Sequence, residues 1–308
     1  MSAPAELEPG VVVSHLRGEI EVRADAGAPR TLRCFVRTAL PPLVTGDRVR
    51  FRREDDAADR GVIEALDPRR TLLARHTPRG LRGVCANLDV LLVTFAPQPA
   101  PHADLVDRYL LAAELCELEA VLVVNKLDTA SDADRTQLEA LIAPRARLGV
   151  QAVEVSAQSG LGLDALRAAI GARSAAFVGQ SGVGKSSLLN ALVPEADAET
   201  GDLSARSNRG RSRGRHTTST TRLYETGNAL IVDSPGIREF VPDVPDARTL
   251  TAGFVEIARA AQRCRFGDCR HDREPDCGVR EALDAGEIDP SRLASFFLLR
   301  DELDARAT

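Results

Sequence analysis

Apolar residues come in short bursts through the first quarter of the chain. Gly10-Val11-Val12-Val13 and Gly61-Val62-Ile63 open apolar runs, and Gly46-Asp47 marks a turn before the alternating Arg48-Val49-Arg50-Phe51. Short runs of this kind between turn signals predict strands from about residue 8 to 75, arranged as a small all-β barrel or sandwich. The stretch from Arg75 to Gly83 (RHTPRGLRG) is polar and glycine-containing, and predicts a linker.

The period then changes. Val90–Phe95, Ala120–Val124, Val150–Val155, Ala175–Val178 and Leu230–Val232 read as buried strands. Helical patterns over Ala103–Cys116, Ala133–Leu141 and Leu163–Ile170 alternate with them. Alternation of this kind predicts a parallel sheet covered by helices on both faces. From about residue 246 the pattern is helical, with one helix before a cluster of Cys and His and another over Ser291–Ala305. The expected division is 1–78, 79–245 and 246–308: an all-β barrel-like domain, a central α/β domain and a mainly helical C-terminal domain.

Composition sharpens this reading at two points. The chain has 308 residues, 44% hydrophobic and 28% charged, with a formal net charge of −5, as expected of a globular protein. No segment approaches the roughly 20 apolar residues of a membrane span. The acidic start, MSAPAELEPG, has no apolar core like that of a secretory signal, so a cytoplasmic protein without a membrane partner is expected. Of 40 basic residues only Lys126 and Lys185 are lysine. Lysines that survive so strong a bias towards arginine are suspects for work a planar guanidinium cannot do.

Both lie in nucleotide-binding patterns. Gly179-Gln180-Ser181-Gly182-Val183-Gly184-Lys185-Ser186, with Ser187 adjoining, fits the P-loop between a strand and an apolar helix. Its glycines let backbone N–H groups converge on phosphates at a helix N-terminus. Lys185 would supply charge to the outer phosphates and Ser186 a hydroxyl to magnesium. Asp233-Ser234-Pro235-Gly236 follows an apolar strand; Asp233 is expected to hold magnesium through water, and Gly236 to let the backbone approach the terminal phosphate. Asn125-Lys126-Leu127-Asp128 is an N-K-x-D segment at a strand end. Asp128 can accept the paired N1–H and N2–H of guanine, a pair adenine lacks. The Lys126 stem can lie over the base, and the backbone N–H of Ala157, after Ser156, can reach the guanine carbonyl.

Cys264-x4-Cys269-x-His271-x5-Cys277 offers three thiolates and an imidazole, a soft four-ligand set that favours structural zinc. Cys34, Cys85 and Cys116 are scattered and read as core or neutral positions. Arg206, Arg209, Arg211, Arg213 and Arg215 crowd a Gly/Ser-containing stretch suited to phosphate backbones. Thr217 or Thr218 then stands where a switch threonine reaches magnesium, Thr218 being preferred.

The N-K-x-D and Ser156-Ala157 elements precede the P-loop, the reverse of conventional small GTPases, so the domain is circularly permuted. That order, the loop ending Gly214-Arg215-His216-Thr217-Thr218 and the Cys/His cluster together resemble the ribosome small subunit-dependent GTPase A family (RsgA, also called YjeQ) over nearly the whole chain. The resemblance implies an N-terminal OB-fold, a permuted GTPase domain and a zinc-binding C-terminal domain. It further implies late maturation of the small ribosomal subunit, with GTP hydrolysis stimulated by that subunit and contacts to 16S rRNA. A monomer is expected.

Ile237 occupies the place where Ras-like enzymes carry a water-orienting glutamine, so intrinsic hydrolysis should be slow. His216 is the nearest group able to orient the water; a histidine that only shapes the loop is the equal alternative. A rival of another class is a nucleotide-gated RNA-binding switch whose hydrolysis has little catalytic purpose. An ATPase is a second rival, and Asp128 argues against it.

Overall fold

A computed structural model describes residues 7–307 apart from 17, 29, 37–39, 55–56, 78–79, 194–195, 197–220 and 234–243. Five N-terminal strands, β1 (Glu8–Leu16), β2 (Glu19–Ala24), β3 (Thr31–Val36), β4 (Arg48–Glu54) and β5 (Ala57–Leu66), close in the order β1-β2-β3-β5-β4-β1. Only β3 and β5 run parallel. This is the five-stranded OB-type barrel, not a sandwich. Its strands alternate, so Val12, Val22, Leu32, Cys34, Val49, Phe51 and Ile63 fill the interior while arginines face out. Each large apolar side chain buried there contributes roughly 1.5–3 kcal/mol.

The segment expected to be a linker is structured instead. Strands β6 (Leu72–Thr77) and β7 (Gly80–Ala86) pair antiparallel as a separate hairpin. The polar residues of RHTPRGLRG hid it, because a two-stranded ribbon needs no continuous apolar face. The hairpin is anchored at its base, where Leu73, Val84 and Cys85 join the core of the next domain.

That domain is built on six strands in the order β10-β9-β8-β11-β13-β12. They are β8 (Val90–Phe95), β9 (Glu119–Val124), β10 (Gln151–Glu154), β11 (Ser174–Val178), β12 (Arg222–Thr226) and β13 (Ala229–Asp233). All pair parallel except β12, which runs antiparallel to β13. Helices α1 (Ala103–Leu115) and α2 (Asp132–Ala146) pack on one face, and α3 (Leu163–Ile170) and α4 (Lys185–Leu192) on the other. The predicted strands and helices fall on these elements within a few residues. A single bridge, Ser14 to Arg222, carries the sheet from β12 into the barrel. The Arg23–Glu225 ion pair and the Thr45 hydroxyl bond to the Thr221 carbonyl (3.3 Å) hold the same junction.

The C-terminal region is helical: α5 (Ala247–Ala252), α6 (Val255–Ala261), α7 (Gly278–Asp284) and α8 (Pro290–Ala307). Leu250, Phe254, Ile257, Val279, Ile288 and Phe296 form its core, and Leu111 reaches into it from α1. No helix among the described residues is long and apolar enough to cross a membrane.

Candidate nucleotide site and metal centre

The chain reverses direction across the sheet between β8 and β11. Ligands of open α/β sheets sit outside the carboxyl ends of strands at such a switch point. The loop from Gly179 to Gly184 lies there, joining β11 to α4. Gly179 has φ +136°, and a Cβ on it would stand 2.0 Å from the Thr94 carbonyl oxygen. Gly184 has φ +94°, and a Cβ there would stand 2.3 Å from Asn125 Nδ2. Only glycine allows both the positive φ and the close approach. Val183 is buried and pins the loop, while Ser181, Gly182, Ser186 and Ser187 are exposed and Gln180 is partly so.

The N-K-x-D segment braces this loop. Asn125, buried at the end of β9, donates through Nδ2 to the Val183 carbonyl (2.9 Å) and accepts through Oδ1 from the Ala157 N–H (3.1 Å). One side chain thus ties the P-loop to the Ser156-Ala157 loop. Lys126 has φ +64°, and its ammonium donates to the carbonyls of Gly182 (2.6 Å) and Gln98 (3.0 Å). The buried Ser156 hydroxyl accepts from the Ser159 N–H (3.1 Å) and shapes the second loop. Asp128, in the turn Leu127–Thr129, stands exposed, with no hydrogen-bond partner among the described residues. Lys185 donates to the Gly179 and Gln180 carbonyls (both 2.7 Å), so its ammonium sits at the mouth of the loop. Asp233 ends β13, opposite Arg222. Gly236, Ile237, His216, Thr217, Thr218 and the five loop arginines lie outside the described residues.

Sequence reasoning missed the bracing role of Asn125, reading it only as part of a base-recognition motif. The Ala157 amide, which the sequence assigns to the guanine carbonyl, donates here to Asn125 Oδ1. It also missed Tyr109, buried on α1 and hydrogen-bonded to the Gly179 backbone; burial pushes its phenol up to about 12. No local signal in the sequence marks either contact. A cavity of about 430 Å³ between barrel and sheet, lined by Arg48, Arg70 and Asp89 among others, lies at the opposite strand ends. Arg48 pairs with Asp25 and Arg70 with Asp89, leaving those charges matched.

The second constellation is in the C-terminal region. Ligand atoms of Cys264, Cys269, His271 and Cys277 all lie within 4.8 Å of one another. His271 Nδ1 stands 3.6 Å from Cys264 Sγ and 3.5 Å from Cys277 Sγ, and the two sulfurs are 3.9 Å apart. A tetrahedral ion with bonds of about 2.3 Å to sulfur separates its thiolates by about 3.8 Å. The cluster therefore fits a four-coordinate metal. His271 is buried, which lowers its pKa from the ordinary value and favours the neutral ligand form.

A phosphate-type loop at the switch point, an N-K-x-D segment braced on it and the inverted order of the two define a circularly permuted P-loop GTPase. The chain belongs to the RsgA GTPase family, whose model matches residues 66–242. It is 45% identical over 291 residues to the small ribosomal subunit biogenesis GTPase RsgA of Azotobacter vinelandii, covering 93% of this chain and 83% of that protein. The protein of the same name from Pseudomonas aeruginosa (strain LESB58) is 44% identical over 289 residues, with the same coverage. Among solved structures, YjeQ from Thermotoga maritima aligns with a TM-score of 0.76 at 29% identity over 96% of this chain and 98% of that one. YloQ, described as a circularly permuted GTPase, aligns at 0.73 and 25% identity over 97% and 96%. Members of the family are GTP hydrolases, and so is this chain.

Proposed function

We propose that this chain hydrolyses GTP as a maturation factor for the small ribosomal subunit, touching 16S rRNA and turning over faster on the subunit than alone. The observation that carries the reading is the Asn125 bridge, which holds the base loop and the phosphate loop as one rigid unit. Asp128, exposed and unengaged, takes the two guanine donors, with Lys126 beside it and Ser156-Ala157 walling the same edge. The 179–184 backbone, Lys185 and the exposed Ser186 and Ser187 take the phosphates. Ser186, Asp233 and Thr218 hold Mg²⁺, which neutralises charge on the phosphate oxygens. Gly236 approaches the terminal phosphate, and His216 orients the attacking water.

Structural zinc, one per chain, is the metal of the Cys264, Cys269, His271 and Cys277 set, whose spacing suits its tetrahedral geometry. The barrel (1–78), the GTPase domain (79–245) and the zinc domain (246–308) act in one cytoplasmic monomer. The barrel, the switch I segment with its five arginines and the zinc domain provide the rRNA contacts. The test is the GTP hydrolysis rate with and without purified small subunits. Stimulation of at least tenfold is expected; equal rates defeat the reading.

A further inference from the structure

Helix α1 belongs to two domains at once. Its Val106, Tyr109, Leu110, Ala112 and Ala113 pack into the GTPase core, whereas Leu111 packs into the C-terminal core. Gly253, between α5 and α6, leaves room for Leu111: a Cβ on Gly253 would stand 1.9 Å from Leu111 Cδ1. Towards the nucleotide, α1 follows a segment in which Gln98 accepts from Lys126 and Pro99 lies against Gly182. Tyr109 bonds the Gly179 backbone, and residues of α1 and of the P-loop together line a small cavity of about 10 Å³. Packing this close transmits displacement rather than absorbing it.

Through the same helix runs a buried chain of charge. Asp107 is fully buried. Its Oδ1 accepts from Arg145 Nε (2.8 Å) and Arg292 Nη1 (2.7 Å), and its Oδ2 from Arg145 Nη2 (2.6 Å). Arg292, on α8, turns its Nε and Nη2 to the carboxylate of Glu256 on α6 (2.7 and 3.2 Å) and lies 4.5 Å from the Phe254 ring centroid. Two arginines and two carboxylates cancel, and every one of them is buried. Among the described residues most arginine–carboxylate pairs have a half-exposed or exposed partner; the Asp107–Arg145 pair has both side chains at 0%.

Stability alone accounts poorly for this. Well-packed apolar residues of similar volume commonly hold an interface as well as or better than buried ions, whose desolvation offsets their attraction. What ions add is direction: Asp107 and Arg292 are each fixed by a bidentate pair within their own domain, so the single bond between them forms in one orientation, where apolar surfaces slide.

We infer that Asp107 and Arg292 are positioning residues that lock the C-terminal metal domain in one orientation on α1, so that engagement of that domain is transmitted to the P-loop. The inference rests on the proposed stimulation by the small subunit. Arg145 holds Asp107 from within the GTPase domain, and Glu256 holds Arg292 from within the C-terminal domain. Within this buried chain the Asp107–Arg292 bond crosses between the domains; the Arg108–Glu302 and Arg147–Asp289 pairs cross the same boundary, each with at least one partner open to solvent.

The double variant Arg292→Met with Glu256→Gln tests it in the full chain. It removes one positive and one negative charge, so the Arg145–Asp107 pair stays balanced. Dyes placed by unnatural amino acids at the exposed Gln137 and Asp284 report domain orientation by energy transfer. GTP affinity and basal hydrolysis should stay within about twofold of the parent. The inter-dye distance distribution should broaden, and the maximal subunit-stimulated rate should fall at least tenfold, with a smaller change in half-saturating subunit concentration. Arg292→Lys, which keeps one charged bond, should fall between; it also serves as the test if the double variant does not fold. A folded variant with the parent's distance distribution, or with the parent's stimulated rate, overturns the inference. If subunits fail to stimulate the parent protein, the functional reading falls, and the distance measurement still decides whether the lock exists.

Discussion

Asp128 is the residue proposed to select the base. An exposed carboxylate beside a rigid loop pair can accept two parallel donors, and guanine offers two. Asp128→Asn places an N–H against an N–H, so GTP affinity should fall at least about a hundredfold. Xanthosine triphosphate, which presents a carbonyl at that edge, should bind the variant better than it binds the parent. A nucleotide competition series checks this, and an unchanged GTP preference removes the role. Gly179 is constrained from two sides, by φ +136° and by the Thr94 carbonyl 2.0 Å from a would-be Cβ. Gly179→Ala should cost at least about 1–3 kcal/mol of stability and loosen nucleotide binding, read by thermal unfolding with and without GTP. Lys185 sits where its ammonium meets two carbonyls at 2.7 Å, a compact site that a planar fork fits badly. Lys185→Arg should therefore hydrolyse GTP nearly as poorly as Lys185→Ala; near-parent turnover would show that lysine scarcity carried no information. At this scale the motif residues were legible because chemistry restricts their type. The bracing by Asn125 and Tyr109 was not, since each acts through a partner more than fifty positions away in sequence.

Elements were legible in proportion to their apolar period. Strand β8 and helix α3 match their predicted limits, because continuous apolar runs and helical spacing are driven by burial alone. The β6–β7 hairpin was mistaken for a linker since its charged and glycine residues carry no such period. Nothing in the local sequence sets Arg145, Arg292, Asp107 and Glu256 apart from other helix charges. Their burial is set by one another across four helices and a domain boundary, which no local pattern encodes. The metal centre lies between these extremes. Its ligands were readable from spacing, and the structure adds how they are held. Cys277 stands at the N-terminal cap of α7, and His271 takes φ +67° to face the sulfurs. The cluster joins the loop after α6 to the start of α7, so a metal held there would close the C-terminal core from one side. One zinc per chain is expected by metal analysis of protein purified without chelators. Cys269→Ser and Cys277→Ser should lose it and raise hydrogen exchange across α5–α8 while GTP binding persists. Metal-free parent protein that keeps the C-terminal core protected would defeat the structural role.

For the whole molecule the permutation matters most. Strand β13 ends at Asp233 and α5 begins at Ala247, so the chain passes from the phosphate end of the sheet into the C-terminal domain within residues 234–246. In a conventional order the same point would lead back into the GTPase fold. Residues 206–215 place five arginines on the other connection to the phosphate end, in a chain whose net charge is −5. Most described arginines of the barrel strands already answer a carboxylate, as Arg48, Arg50, Arg52 and Arg53 do, whereas the sequence of 206–215 carries five arginines and no acidic residue. GTP with magnesium should order both connections through Thr218 and Asp233, and hydrolysis should release them, the order-to-disorder route of GTPase switches. Affinity for small subunits should thus be higher with a non-hydrolysable GTP analogue than with GDP. A tenfold preference requires only about 1.4 kcal/mol, within reach of one or two charge-assisted hydrogen bonds. Binding should weaken with salt in both nucleotide states. Replacing the five arginines with serine should flatten the slope of log affinity against log salt by up to roughly 3 to 4, at about 0.7 per lost contact to single-stranded phosphate. Titration of subunits against each nucleotide form, at several salt concentrations, reads both effects. Equal affinity of the GDP and analogue forms removes the coupling, and a serine variant with the parent's salt slope removes the arginines from the interface; the nucleotide site itself stands in either case.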